Sequence, residues 1–432
     1  MKKLRIVSLV GLSLLSLAAC NTGGGGGEGG ETKTLANAVK VGLICLHDEN
    51  STYDANFING LKEAVKNLGG KVIFEDNCLK TGVDEDNACY EAAVDLVGKG
   101  CEVIFADSFG HDSYMLQAAK EYPNVQFCHA TGTKSTVNED QANFHNAFAS
   151  IYEGRFLAGY AAGLKLVEKN VVDGKTAAEF PQEKVGYVGA YPYAEVKSGY
   201  TSWFLGLREA LNDYSIDSSK VTMDVRFTSS WYAPEAEANA ATALINDGAV
   251  LVSQHADSMG APGVCESKNI PNVTYNIETG DDCPKTYLAY SRINWAPYYE
   301  GIVNAVYAAK IGLANGTIAG NWTGTLGTDS VQYNVNYANL TTNADRLEDY
   351  KAKIAAKEAA IVNGSLKVFD TAKFTVDGNH IDHYLADVID DGTYEPDTEV
   401  VVTKGGVTYF NESYYRSAPY FDIDIDGINI KG

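Results

Sequence analysis

The sequence predicts an α/β protein built from two similar lobes. Two observations carry that expectation: a strand–loop–helix alternation starts near Lys40 and runs to about residue 132, and the same alternation restarts near residue 148. A third is size. The chain has 432 residues, 45% of them hydrophobic, which is more than one core usually supports.

The elements follow in order. "VKVGLICL" is a continuous apolar run of strand length, and "YDANFINGLKEAVKNLG" has helical spacing with a glycine stop. "GKVIFED" and "NACYEAAVDLVGKG" form the next strand and helix, and "CEVIFADSF" with "SYMLQAAKEYP" the third pair; "VQFCHATG" is a fourth strand. Alternation of this kind makes a parallel sheet covered by helices on both faces, with ligands expected at the carboxyl ends of its strands. The loops starting at His47, Asp107 and Thr131 are therefore the ones to watch. The second series opens with the long helix "FASIYEGRFLAGYAAGLKL", then "KVGYVGAY" and "VKSGYTSWFLGLREAL", "KVTMDVRFTSSW" and "APEAEANAATALINDG", and the strands "AVLVSQHA" and "PNVTYNIE". A helix from Ala296 to Ala314 follows, then a polar, turn-rich tail with the helix "NADRLEDYKAKIAAKEAAIVNG" and short β-like segments.

Met1-Lys2-Lys3-Leu4-Arg5 and the apolar run Ile6–Leu17 have the charge and length of an export signal, too short for a permanent membrane span. Leu17-Ala18-Ala19-Cys20 resembles a bacterial lipobox, so residues 1–19 are expected to be removed and Cys20 to carry a lipid. The glycine run behind it lacks the Gly-Lys-Ser/Thr of a phosphate loop and reads as a flexible tether over 20–37. Loss of Lys2, Lys3 and Arg5 takes the formal charge from −22 to −25, a surface that repels nucleic acid and acidic headgroups. The expected location is the extracytoplasmic face of the cell membrane, with the lipid as the sole membrane contact. Of the seven other cysteines, Cys45, Cys101 and Cys128 sit in or beside apolar strands as core residues. Cys78 with Cys89, and Cys265 with Cys283, are pairs that could bridge. No C-x-x-C spacing occurs, so no metal is expected, and no cofactor.

The lipobox, "STYDANFINGLKEA", "EGRFLAGYAAGL", "KVGYVGAY" and "PYYEGIVNAVYAAKIG", in this order, resemble the basic-membrane-protein family of lipoprotein solute receptors for ABC importers, whose best-understood members bind purine nucleosides. The resemblance spans roughly residues 38 to 367 and leaves an extension beyond Phe369. It implies two Rossmann-like lobes of the periplasmic-binding-protein type I class: residues 38–150 plus about 280–320 in one, and 151–279 plus about 321–432, with the extension, in the other. It also implies a monomer that closes on a small solute and presents itself to an ABC permease. The family's first aromatic, seven residues before a helical glycine, falls on Tyr53, and the second on Trp231, so these two rings would clamp a flat base. Polar contacts are expected from Asp48 near the first strand, Asp107 and Ser108 at the third, and Asp257 after "QHA". Asn276 and Glu278 stand where the family has aspartates, and Arg292 where it has a lysine that contacts ligand.

Three motifs compete. "FDIDIDGINI" begins like a calcium loop, but its twelfth position falls past Gly432, and Asp422, Asp424 and Asp426 fit one wet face of a terminal strand. His380 and His383 lack a convergent third ligand and read as a surface pair. Ala106-Asp107-Ser108-Phe109-Gly110 is one residue from a nucleophile elbow; a surface hydrolase using Ser108 would need Asp257 and His380 beside it. The leading expectation is a binding protein, not an enzyme, for a nucleoside-like compound, with a flavin or a sugar as the next ligand class. A sensor handing its bound state to a signalling partner is the remaining alternative.

Overall fold

The computed structural model describes residues 34–313, 318–389 and 393–432. The export signal, Cys20 and the glycine run lie outside the described residues. The first series comprises β1 (Val39–Ile44), α1 (Thr52–Leu68), β2 (Val72–Ile73), β3 (Leu79–Lys80), α2 (Asn87–Gly98), β4 (Val103–Ala106), α3 (Asp112–Glu121), β5 (Gln126–Ala130) and β6 (Phe144–Ala149). The second comprises α4 (Ile151–Val172), β7 (Glu183–Gly189), α5 (Ala194–Asp213), β8 (Val221–Phe227), α6 (Pro234–Asn246), β9 (Ala249–Gln254), α7 (Gly260–Lys268), β10 (Asn272–Tyr275) and β11 (Tyr287–Ile293). Then come α8 (Ala296–Lys310), β12 (Asn321–Gly324), β13 (Val331–Val335), α9 (Tyr337–Leu340) and α10 (Ala344–Val362). The extension holds β14 (Leu385–Ala386), β15 (Thr398–Glu399), the hairpin β16 (Val401–Lys404) and β17 (Val407–Phe410), and β18 (Ile428–Lys431).

Two seven-stranded sheets result. The first runs β12-β6-β5-β4-β1-β2, with β3 also on β1, and every pairing in it is parallel. The second runs β13-β11-β10-β9-β7-β8-β18, parallel except for the antiparallel edge pair β11–β13. The central strand β4 (VIFA) is buried along its whole length, which is why it reads as an unbroken apolar run; β6 is buried too, but carries His145 and Asn146 in its middle. The chain crosses between the sheets three times: from β6 into α4, from β11 into α8, whose Tyr299 and Ile302 pack in the first sheet's core, and from β12 to β13.

The extension is integral to the second sheet. β18 pairs in parallel with β8, and Phe421 stacks on Phe369 at 4.3 Å and meets Phe410 at 4.8 Å. The terminal strand starts at Ile428, later than its aspartates suggested, and each aspartate has its own partner. Asp422 accepts from the Tyr384 hydroxyl, Asp424 pairs with Lys197, and Asp426 accepts from Thr375 and the Gly378 amide. His380 Nδ1 faces the Thr371 and Phe374 carbonyls, and His383 pairs with Glu399. The seven cysteines of the described residues are buried free thiols, so neither open pair is bridged; Cys78 faces Cys101, with sulfurs 3.6 Å apart.

Glu412 is buried in the extension, where loss of solvent pushes its carboxyl up to about 8 despite the Phe421 and Tyr420 amides that face it. Its folded-state pKa lies above the ordinary value of 4.5, so the native state holds the proton more tightly than the unfolded chain does. The stability this contributes is complete below the ordinary carboxyl range and is lost as pH rises to about 8. Glu412→Gln, neutral at every pH, is expected to melt several degrees above the wild type at pH 9 and to lose that advantage by pH 5. Parallel melting curves at the two values read the effect; an equal offset at both would contradict it.

Candidate functional site

The loops after β1, β4, β5, β7, β8 and β9 converge on a cavity of about 420 Å³ lined by residues from both sheets' helices and loops. From the first come His47, Tyr53, Asp54 and Ser108; from the second, Tyr193, Glu195, Trp231, His255, Asp257 and Tyr275. One backbone hydrogen bond joins the two rims directly, from the Thr52 amide to the Asp257 carbonyl at 2.8 Å.

Local chemistry sets the first rim. Ser51 caps α1 and Asp54 sits in its first turn; the Asp54 carboxylate accepts from the Ser51 hydroxyl at 2.5 Å and from the His47 amide at 2.8 Å, folding the β1 loop back on the helix. Tyr53, one residue before, turns its ring against Phe57 and donates its hydroxyl to the Asp107 carbonyl at 2.8 Å. Cys45, Asp54 and Asp107 bring their polar atoms within 4.8 Å of one another. Burial pushes the Asp107 carboxyl well above its usual range, and the neighbouring Asp54 charge adds to this. Burial also works against Asp54, but hydrogen bonds from His47 and Ser51 outweigh it and hold that carboxyl low. The pair is thus one carboxylate beside one carboxylic acid. Both Asp54 oxygens are already engaged, which makes this a shared-proton pair more than an ion cradle.

The second rim is organised by a buried chain of charges. Arg155 on α4 lies 3.5 Å from the Tyr275 ring centroid and donates to the Gln254 carbonyl and to His255 Nδ1 at 2.9 Å. Guanidinium cannot accept, so His255 presents its Nε2 proton to Glu195 at 2.8 Å. Burial holds His255 below its usual range, keeping the ring neutral. Glu195 is thereby fixed at the start of α5 as an acceptor facing the cavity. Trp231 follows β8 and packs its ring edge-on to Tyr191 at 5.1 Å and tilted to Tyr193 at 6.0 Å.

Of the residues singled out from sequence, Tyr53, Ser108, Trp231 and Asp257 come together in the cavity. Asp107 and Asn276 are buried just behind it: Asp107 accepts from the Leu46 amide, and the Asn276 amide reaches Asp257 at 3.3 Å. Asp48, Glu278 and Arg292 are not among the lining residues. Asp48 accepts from Asn50, Glu278 is exposed, and Arg292 donates to Gln332 on β13. The Ser108 hydroxyl donates to Glu85 at 2.5 Å, and His129 faces the Ser108 carbonyl rather than its hydroxyl. His380, the histidine a hydrolase would need, is not among the lining residues. Asp54, Glu195, His255 and Tyr275 were missed; of these Asp54 carried a readable signal, the Ser-x-x-Asp of a helix start.

The family model described as ABC transporter substrate-binding protein, PnrA-like, matches residues 44–361. A purine-binding protein of Brucella abortus is 31% identical over 273 residues, covering 62% of this chain and 69% of its own. A putative ABC transporter glucose-binding protein of Haloferax volcanii is 27% identical over 273 residues, and the match spans 60% of that protein. Among solved structures, an ABC transporter solute-binding protein of Conexibacter woesei superposes with a TM-score of 0.55 at 17% identity, over 76% of this chain and 98% of that one. One from Aeropyrum pernix also gives 0.55, at 14% identity, over 79% and 94%. At such identities the likeness shows the fold alone, that of the type I periplasmic binding proteins.

Proposed function

Because this chain belongs to the family of PnrA-like ABC transporter substrate-binding proteins, we propose that it captures a purine nucleoside between Tyr53 and Trp231 and delivers it to an ABC permease. The observation that carries this reading is the cavity itself, where aromatic rings from both rims stand beside fixed acceptors at Asp54 and Glu195. Rings take the flat faces of a base, and carboxylates take the sugar hydroxyls. The sheets with their helices act as two lobes, hinged at the three crossings, that close on the ligand. Residues that follow strands of both sheets line the cavity, which supports such closure. Proteins of this family work outside the cytoplasm, and among the described residues no helix is long and apolar enough to cross a membrane. We read Cys20 as the lipid-bearing residue that holds the protein there, and the acyl mass on the mature N-terminal peptide tests that reading.

Among the described residues lining the cavity, Asp54, Glu195, Asp387 and Asp422 outnumber one guanidinium, Arg416, while burial pushes a further carboxyl, that of Asp257, well above its usual range. A phosphate is therefore unwelcome. Inosine at a hundred times its Kd is expected to stabilise the folded state by about 2.7 kcal/mol, and inosine 5′-monophosphate at the same concentration to leave the melting temperature unchanged. Calorimetric scans with each compound decide it. A shift with the monophosphate equal to that with inosine would count against the reading. A second reading, a free sugar, draws on the same carboxylates and on the glucose-binding protein named among the relatives; a shift with glucose and none with inosine would replace the first reading by the second.

A further inference from the structure

Among the described residues, the segment beyond Phe369 contributes seven of the twenty-three that line the cavity, among them Asp387, Tyr394, Arg416, Tyr420 and Asp422. It is held on several sides. β18 and the Phe369–Phe410–Phe421 cluster fasten it to the second sheet. Lys197, two residues past Glu195 on α5, donates to the Asp422 carbonyl at 3.1 Å and pairs with Asp424 at 2.8 Å. The Ser417 hydroxyl reaches Asn321, on the edge strand β12 of the first sheet, at 3.2 Å. The segment thus touches both sheets while presenting side chains to the space between their loops.

We propose that this extension is a third wall of the binding site, and that Arg416 on it donates to a carbonyl oxygen on the ligand edge facing it, so that the site selects 6-oxopurine nucleosides. The inference rests on the nucleoside reading above and refines it. Among the described residues lining the cavity, Arg416 is the one lysine or arginine. Its Nε and Nη2 donate to the Ala418 and Pro419 carbonyls, each at 3.2 Å, which orients the guanidinium plane on the wall. The carboxylates across the cavity suit hydroxyl and N–H donors and would repel a carbonyl oxygen, so a ligand carrying both kinds of edge turns its acceptor edge toward Arg416. Asp422, oriented by the Tyr384 hydroxyl at 2.7 Å, lies on the same wall and takes a neighbouring donor.

The test compares inosine with purine riboside, which lacks the 6-oxo group, by titration calorimetry on the wild type, Arg416→Ala and Tyr394→Ala. The wild type is expected to prefer inosine by about tenfold or more, the scale of a hydrogen bond to a charged group. Arg416→Ala should lose that preference while holding purine riboside nearly as well as before; a mere structural disturbance would weaken both nucleosides alike. Tyr394 is 73% exposed, so Tyr394→Ala folds normally, and it should weaken both nucleosides several-fold as part of the wall is removed. A preference unchanged in Arg416→Ala, or absent from the wild type, overturns the selecting role of Arg416. Equal affinities of Tyr394→Ala and wild type for both compounds overturn the wall, whatever Arg416→Ala does. If the wild type binds neither nucleoside, the underlying nucleoside reading fails and takes this inference with it; wild-type binding with unaltered variants defeats the extension alone.

Discussion

Trp231→Ala is expected to abolish measurable nucleoside binding at micromolar concentrations while leaving the melting temperature of the ligand-free protein within a few degrees of the wild type. The side chain stands in a loop, only partly buried, against Tyr191 and Tyr193. What the loop gives to the fold at this residue is its backbone carbonyl, which accepts from the Asp257 amide at 2.9 Å and survives the substitution. Removing one ring from a stacked base forfeits ~2–3 kcal/mol, about a 30- to 150-fold loss of affinity. Tyr53→Ala should lose as much. Tyr53→Phe separates the two parts of that side chain, because the hydroxyl is spent on the Asp107 carbonyl and the ring faces the cavity. It should bind inosine within a few-fold of the wild type. Titration of the three variants reads the clamp directly: affinity within threefold of wild type in Trp231→Ala would mean that the ligand sits elsewhere.

What could be read from the sequence divides by the range of the interactions involved. Most of the strand–helix order through β5, and from β7 to β10, is a local property written in apolar runs and helical spacing, and it was legible. β3, β6, α7, β11, β12 and β13 were not. β6 is broken by His145 and Asn146, and its last two residues read as the start of the helix that follows, while β12 is the four-residue "NWTG", whose strand character comes from lying beside β6. Tyr53 and Trp231, nearly 180 residues apart, could be assigned to one cavity only through the family resemblance. Glu195 and His255 escaped notice because their importance lies in a contact across sixty residues, completed by Arg155 from a third element. The extension is the extreme case: β18 finds β8 some two hundred residues back, and no periodicity within residues 370–432 points to that partner or to the cavity.

The motif "EGRFLAGYAAGL" has a physical meaning in the crossing of α4 and α5, and it leads to the largest expected loss of stability. A Cβ added at Gly159 would lie 1.9 Å from the Trp203 carbonyl oxygen, one at Gly163 2.4 Å from that of Leu207, and one at Gly206 2.0 Å from that of Phe156. These obstacles are backbone atoms of the facing helix, which no rotamer change can remove; the two helices must separate. In an exposed helix Gly→Ala gains up to about 1 kcal/mol. At Gly159 the sign reverses, and a cost of more than ~3 kcal/mol is expected, as for overpacking against a rigid neighbour, out of a total stability that is typically about 5–15 kcal/mol. Gly301→Ala on α8, where nothing lies within 4 Å of the added carbon, is the matched control and should be neutral or slightly stabilising. Urea unfolding of the two variants beside wild type gives the comparison, and a Gly159→Ala midpoint equal to that of Gly301→Ala would refute the account. The site would suffer in the same step. α4 carries Arg155 and α5 begins with Glu195, so forcing the helices apart pulls on both ends of the chain that runs from Arg155 through His255 to Glu195. Any Gly159→Ala protein that remains folded should therefore bind its solute more weakly, although residue 159 is not among the residues lining the cavity.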